Sequence, residues 1–471
     1  MVRVKPGPHN RRAEGVTCAH SQKRVGNKEF HPLMDKQHPQ QQWQQAVTAY
    51  AQAINQYVAQ GQAQGWDHLE EPQPPATEHL LDAWLAALQS ANRPGVDEQA
   101  HQAFRQAWPP AHQPLVPLLD EHAQGIATLL LLDDGSVLAR IGMPHEKGQV
   151  VRIDGNSVTP VIGVEHFGRC PERRYFALAN AEGVRVTDGW GGPLVQRLAW
   201  PSGLEGLPKG YPFEPFEMPP TPTALIPFAN GQQVLLVSDE GIFLLAAHGA
   251  TRLLPQQQQV LDDLAEGIDP DDINLGLSMA HGTVSADGRL IVVGDQCSRH
   301  LVLDDNLQVL AQVGPVSEYP HFALFNAAGD QLMLNACHFY SGATLAVRVA
   351  DLPGLDTDYY SDDPRTPVIQ EGARVYAGVA REGEYIVGDA YGYLRAFAED
   401  GSERWQHFIG STLCALDISR DGRTLVAGTY AGFVAVIALD TGRPEWQIGT
   451  GPHAETQRWL FWKGWDKPLR W

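Results

Sequence analysis

His281, His321 and Tyr376 each stand at the head of a short apolar run, and imidazole or phenol groups placed there could pass protons or hold a ligand. Thr223 and Thr412 hold equivalent places and would add hydroxyl groups. Nothing else completes a known reaction centre. There is no GxSxG elbow, no phosphate-binding GxxxxGK loop, no HExxH pair and no GxGxxG after a strand. Cys337 and His338 are adjacent, and neighbours on a strand point to opposite faces, so they cannot share a metal unless the strand bulges. Cys18, Cys170, Cys297, Cys337 and Cys414 are widely spread with no CxxC spacing, which argues against a zinc site or disulfide framework and for a cytoplasmic location. No catalytic residue, metal or cofactor is assigned, and the sequence points away from an enzyme.

A second set of residues suits binding. Segment 255–275 carries Asp262, Asp263, Glu266, Asp269, Asp271 and Asp272 with no lysine or arginine. Segment 353–372 carries Asp356, Asp358, Asp362, Asp363 and Glu371 against Arg365. Two readings compete: solvated charge that keeps the molecule soluble, and an acidic face for a basic protein surface. Neither segment has the spacing of an EF-hand calcium loop. The stretch 453–471 places Trp459, Trp462, Trp465 and Trp471 among Arg458, Lys463, Lys467 and Arg470. Such rings anchor a partner when exposed, or fold back over the body and are buried.

The elements that must position these groups change character along the chain. The 471 residues are 43% hydrophobic and 19% charged, an ordinary globular balance, with a net charge of −20 that argues against nucleic acid as a partner. No apolar run is long enough to cross a bilayer, no secretory signal is visible, and no membrane association is expected. Residues 1–38 form a basic leader; its first 33 residues hold seven Lys/Arg against two acids, and they read as a disordered arm or as sequence upstream of a true start at Met34. Residues 39–122 have a helical period: Trp43, Val47, Tyr50, Ile54 and Tyr57 form one stripe, Leu80, Leu81, Trp84, Leu85 and Leu88 a second, and Val96, Ala100, Phe104 and Trp108 a third. The expectation is a small helical section resting on a larger domain.

From residue 126 to 452 the texture is short β-branched and aromatic runs broken by Gly turns. The clearest unit, Leu413–Gly451, reads as four strands with turns at Asp421-Gly422, Tyr430–Gly432 and Asp440–Gly442. A copy spans 374–410, and fainter ones lie at 127–163, 171–186, 229–245, 280–295 and 321–336. The predicted fold is mainly β, a seven-bladed β-propeller with six or eight blades as alternatives, preceded by the α-helical section. Closure is expected through a shared blade that either a strand near 126–141 or the 453–471 tail completes. Inter-blade connections of a propeller emerge on one face, so segments 201–222, 255–275 and 353–372 should cluster there, with Thr223, His281, His321, Tyr376 and Thr412 around the channel mouth.

ALDISRDGRTLVAGTYAGFVAVIALDTG (415–442) resembles a WD-repeat blade, with Ser419, Asp421 and Gly422 matching the end of that family's first strand. The terminal WD dipeptide is absent. LDTGRPEW (439–446) and AEDGSERW (398–405) instead resemble a shortened tryptophan-docking motif of quinoprotein-like propellers. That resemblance implies that Trp405 and Trp446 pack between blades. It does not carry over the quinoprotein cofactor, because adjacent cysteines are missing. The blades also resemble bacterial propellers that accompany MoxR-type AAA+ ATPases and von Willebrand A-domain proteins, which implies an AAA+ system as partner. The function expected is a non-enzymatic scaffold binding proteins through its loop face and tail, against the alternative of a hydrolase or lyase at the channel mouth.

Overall fold

Ser419, Asp421 and Gly422 show how the strands are cut. The Ser419 hydroxyl donates to Asp421 at 2.5 Å and accepts from the Thr424 amide at 2.9 Å, while Gly422 takes φ +69°, a left-handed turn that a side chain would strain. Ser285, Asp287 and Gly288 repeat the device three blades earlier. A computed structural model describes residues 38–471 apart from Tyr340 and Asp466. Residues 1–37 of the basic leader, with the alternative start at Met34, lie outside the described residues.

The strands form seven sheets in chain order. Blade 1 begins with Ile126–Leu131, blade 2 with His166–Arg169, blade 3 with Pro222–Pro227 and blade 4 with His281–Val284. Blades 5, 6 and 7 begin with Tyr319–Phe325, Val375–Arg381 and Leu413–Ile418. These first strands pack against one another around a ring, and the sequence therefore specifies a seven-bladed propeller. Both faces of each blade are covered, which is why strands such as Val234–Ser238 are buried throughout. Blade 4 gains a fifth, parallel strand, Leu355–Thr357, which arrives from an insertion between the third and fourth strands of blade 5 and pairs with Val309–Val313.

Closure departs from the expectation of a shared blade. Blades 7 and 1 are each built from consecutive chain, no strand of one joins the other's sheet, and the first strand of blade 1 packs directly on blade 7. Gly428 makes room for this, since a Cβ there would lie 2.7 Å from Ile126. At the other end of the seam the buried Asp417 carboxylate accepts from the Leu131 amide at 2.6 Å and from Arg169 of blade 2 at 2.8 Å. One carboxylate thus ties blades 7, 1 and 2.

The fourth strand of blade 7 also differs. It is Ala454–Leu460, not the 439–446 stretch, and a short fifth strand Leu469–Arg470 follows. Asp440–Gly442 starts a long irregular connection, and Pro444 within it cannot donate to a ladder. Trp405 is buried between blades, with its indole N–H donating to Glu384 at 3.1 Å. Trp446 instead faces the helices, 5.6 Å from the Arg105 guanidinium.

The helices are α1 (Pro39–Gln64), α2 (Leu81–Ala91), α3 (Glu98–Ala107) and α4 (Val116–His122). On α1 the buried stripe is Trp43, Val47, Ala51, Ile54 and Val58, with Tyr50 and Tyr57 half-buried at its margin. On α3 the expected stripe is displaced: Val96 and Ala100 face solvent, and His101 and Arg105 are buried. The polar residues turn inward because blade 7 offers them partners. His101 Nε2 lies 2.9 Å from the Arg470 carbonyl, and Arg105 pairs with the fully buried Glu455 at 2.8 Å. Burial alone would raise the Glu455 carboxyl, but Arg458 and Arg105 hold it down at about 2. The helices and blade 7 share one core in which Trp43, Trp84, Trp108, Trp462 and Trp471 meet.

Two outcomes follow for stability. Asp417→Ala leaves the nearly buried Arg169 without its carboxylate and is expected to cost about 3–5 kcal/mol in urea denaturation. Burial, aided at His112 by the Arg458 charge, holds His112, His407 and His453 at pKa values of about 4, below the usual 6.5. Groups kept neutral by the fold support it fully above the unfolded value and withdraw that support as pH falls from 6.5 toward 4. The urea midpoint is therefore expected to be level from pH about 8 to about 7 and to fall steeply by pH about 4.5.

Candidate functional site

Antiparallel strands alternate direction, so the turn between second and third strands and the connection to the next blade leave from the same face. Segments 201–222 and 255–275 are such connections, whereas 353–372, expected to be a third, lies inside blade 5 between its third and fourth strands. Its Tyr359 and Tyr360 nonetheless reach this face, where the Tyr359 hydroxyl donates to the Ser298 carbonyl at 3.0 Å. Segment 255–275 contains α5 (Gln257–Ala265), and Asp262, Asp271 and Asp272 stand exposed on it, with Asp263 half-buried. Among the described residues, no cation lies within ion-pairing distance of Asp262, Asp271, Asp272, Asp358 or Asp362. By contrast Asp363 and Asp356 are each paired, with Arg365 and Arg299.

Aromatic rings stand among these acids. Phe339, Tyr391 and Tyr430 occupy the second-to-third turns of blades 5, 6 and 7, and all three are exposed. Tyr319 opens blade 5, and Tyr359 and Tyr360 sit on the last insertion, where the Tyr360 amide donates to the Pro315 carbonyl. Phe339 is 69% exposed and Tyr360 is 60% exposed, and both have left-handed backbones, with φ of +51° and +58°. Bulky residues are rare there, and such strain marks sites where another constraint dominates.

At the channel mouth, one structural device recurs. The first strands of blades 1, 3, 5, 6 and 7 each shift register against their second strands, leaving Ala127, Thr223, His321, Tyr376 and Cys414 as the extra residues. A bulge bends the strand and re-aims one side chain. Three of the five are sequence candidates.

Those candidates separate into two kinds. The Thr223 hydroxyl donates to the Val237 carbonyl at 3.1 Å and that of Thr412 to the Ala390 carbonyl at 2.8 Å, so both brace backbone. His281 is buried, with Nδ1 3.0 Å from the Met279 carbonyl and Nε2 3.0 Å from His300 Nδ1. With Nδ1 protonated toward that carbonyl, His281 Nε2 accepts from His300, and burial keeps its pKa near 4. His321 and Tyr376 meet edge to face at 4.9 Å, and the Arg374 guanidinium lies 4.8 Å over the same Tyr376 ring. The three residues that proton transfer would need are not one hydrogen-bonded set, since His281 is committed to His300. Among the described residues no group of three or more His, Cys, Asp and Glu could hold a metal.

The tail is interior. Trp459, Trp462 and Trp471 are buried, and Trp465 is partly buried against the same cluster. The Trp462 and Trp471 indoles donate to the Ala431 and Trp108 carbonyls at 3.0 and 2.6 Å. This corrects the picture of a free docking peptide: amphipathic rings beside strand edges bury more surface at home than in solvent.

Sequence reasoning passed over Arg374, His300 and the bulged Cys414. The Tyr-Gly and Tyr-Ala-Gly turns at 391–392 and 430–432 did carry a signal, an aromatic at the tip of successive blades.

Among the described residues no helix is long and apolar enough to cross a membrane. No known protein family and no curated protein matches the sequence. Among solved structures, the β-propeller domain of Cps50 (Swd1) from Myceliophteria thermophila is similar at 13% identity over 69% of this chain and 96% of its own, with a TM-score of 0.44. Kuenenia stuttgartiensis hydrazine synthase is similar at 13% identity over 68% of this chain and 96% of its own, with a TM-score of 0.42.

Gly294 tests the His281 seat. A Cβ there would fall 2.7 Å from the imidazole, so Gly294→Ala is expected to displace the ring and cost about 1–3 kcal/mol, read as a lowered Tm.

Proposed function

We propose that this propeller is a non-enzymatic scaffold that holds protein partners on its loop-bearing face. The observation that carries the reading is the exposure of Phe339 and Tyr360 on strained backbone, with further exposed rings on the same face. Rings of this kind are typical anchors of protein interfaces, and leaving them in water has no folding benefit. The unpaired carboxylates around them favour a partner with a basic surface, through long-range steering and through cations laid on ring faces. The Trp-rich tail takes no part in this contact; it secures the helices to blade 7. An AAA+ ATPase of the MoxR kind with its von Willebrand A-domain proteins is the partner system we propose, supported by the blade resemblance alone. A cytoplasmic setting accords with the cysteine pattern.

Asparagine accepts left-handed backbone, so Phe339→Asn with Tyr360→Asn removes the rings without added strain. The double variant is expected to keep the wild-type Tm and to lose about tenfold or more of its partner in affinity capture from native extract with mass-spectrometric readout. Capture should also fall as salt is raised. An unchanged partner set in the double variant would overturn the reading, and a captured set without an AAA+ protein would overturn the named system.

A further inference from the structure

Blades 5 and 6 bring His321, Tyr376 and Arg374 together at the channel mouth, and the hydrogen bonding there does not close. His321 is a bulge residue whose two ring nitrogens are both shut off from solvent and without a hydrogen-bond partner among the described residues. Arg374, just before the first strand of the next blade, donates from Nη1 to the Phe339 carbonyl at 3.1 Å, while Nη2 reaches only the Met279 sulfur at 3.9 Å. Its Nε is buried and unpartnered. No carboxylate lies within ion-pairing reach of this guanidinium among the described residues, in a chain where 55 acids face 35 bases.

A purely structural role explains one of these contacts. Nη1 caps the turn at Phe339, but a lysine or an amide could do that, and a carboxylate neighbour would normally complete a half-buried arginine. Each buried donor left unmet costs about 1–3 kcal/mol, and such groups in a folded protein ask for an explanation. The arginine charge beside His321 repels a metal ion and attracts an anion. Burial first, then the charge of Arg374 and the proximity of His281, keep the imidazole neutral, with a pKa of about 3. A neutral ring offers one N–H donor and adds no second charge.

We propose that the channel mouth between blades 5 and 6 binds a small oxyanion, a carboxylate or a phosphate, with Arg374 as its charge partner, His321 as a second donor and the Tyr376 ring as its wall. The inference stands apart from the scaffold reading, since none of the three residues belongs to the exposed rings. Because the nitrogens are covered as they stand, the anion enters with a shift of the Tyr376 ring between them.

The test is isothermal titration of the full chain with sodium acetate and, separately, sodium phosphate, each against sodium chloride at matched ionic strength, with Tm followed in parallel. Saturable binding of one or both anions, with a Tm rise that chloride does not give, is expected; which anion binds tells carboxylate from phosphate. Arg374→Met should weaken binding about tenfold or more, while Arg365→Gln, whose guanidinium pairs with Asp363 outside the cluster, should leave it unchanged. His321→Phe keeps the ring and removes the unmet nitrogens. It should bind several-fold more weakly yet melt higher than wild type without anion, and it serves if Arg374→Met fails to fold. Absence of saturable binding by wild type, or wild-type affinity in both Arg374→Met and His321→Phe, would overturn the proposal.

Discussion

The seam between blades 7 and 1 is the constraint on which everything else rests. No strand of blade 1 or blade 7 is laced across this joint, so it must hold by packing and by polar contacts alone. Here the Ile126 side chain sits against Gly428, and Asp417 reaches from blade 7 to a blade 1 amide and a blade 2 guanidinium. The apolar part is non-directional and the carboxylate fixes the register. A channel mouth exists only while that joint is shut, because its bulged residues come from both sides of it.

The helical section works on the same blade from outside. Its tryptophans, together with Trp462 and Trp471, form one core, and the Arg105, Glu455 and Arg458 side chains form a buried charged group beneath it. Two cations around one carboxylate leave the group positive, and the aromatic faces of Phe433 and Trp471, 5.0 and 5.9 Å from the Arg458 guanidinium, take up part of that excess. The section is therefore a bracket on the joint and not a separate module.

What could be read from the chain was whatever repeats locally. Turns such as Asp421-Gly422 announce hairpins because a few adjacent atoms decide their geometry, and their spacing revealed the blades and their number. The last strand was misplaced because Trp446 matches a local pattern while Ala454–Leu460 is chosen by what is free to pair with Phe433–Ala438. Tail tryptophans read alike whether buried or bare. The third helix shows the same limit, since Arg105 turns inward only because Glu455, distant in sequence, waits for it. Thr223, His321 and Tyr376 were found by their place at strand starts. That they are bulged depends on the register of the partner strand, and the solitude of Arg374 depends on which acids are far away in space.

The parallel strand Leu355–Thr357 links two blades at their rims. It carries the loop bearing Tyr359 and Tyr360, so a pull on those rings is borne in shear by the outer edge of blade 4 as well as by blade 5. A load shared between two sheets and directed along the strands strains every hydrogen bond of the bridge at once instead of unzipping them singly. An insertion held in this way resists a pull along the strands more than one across them.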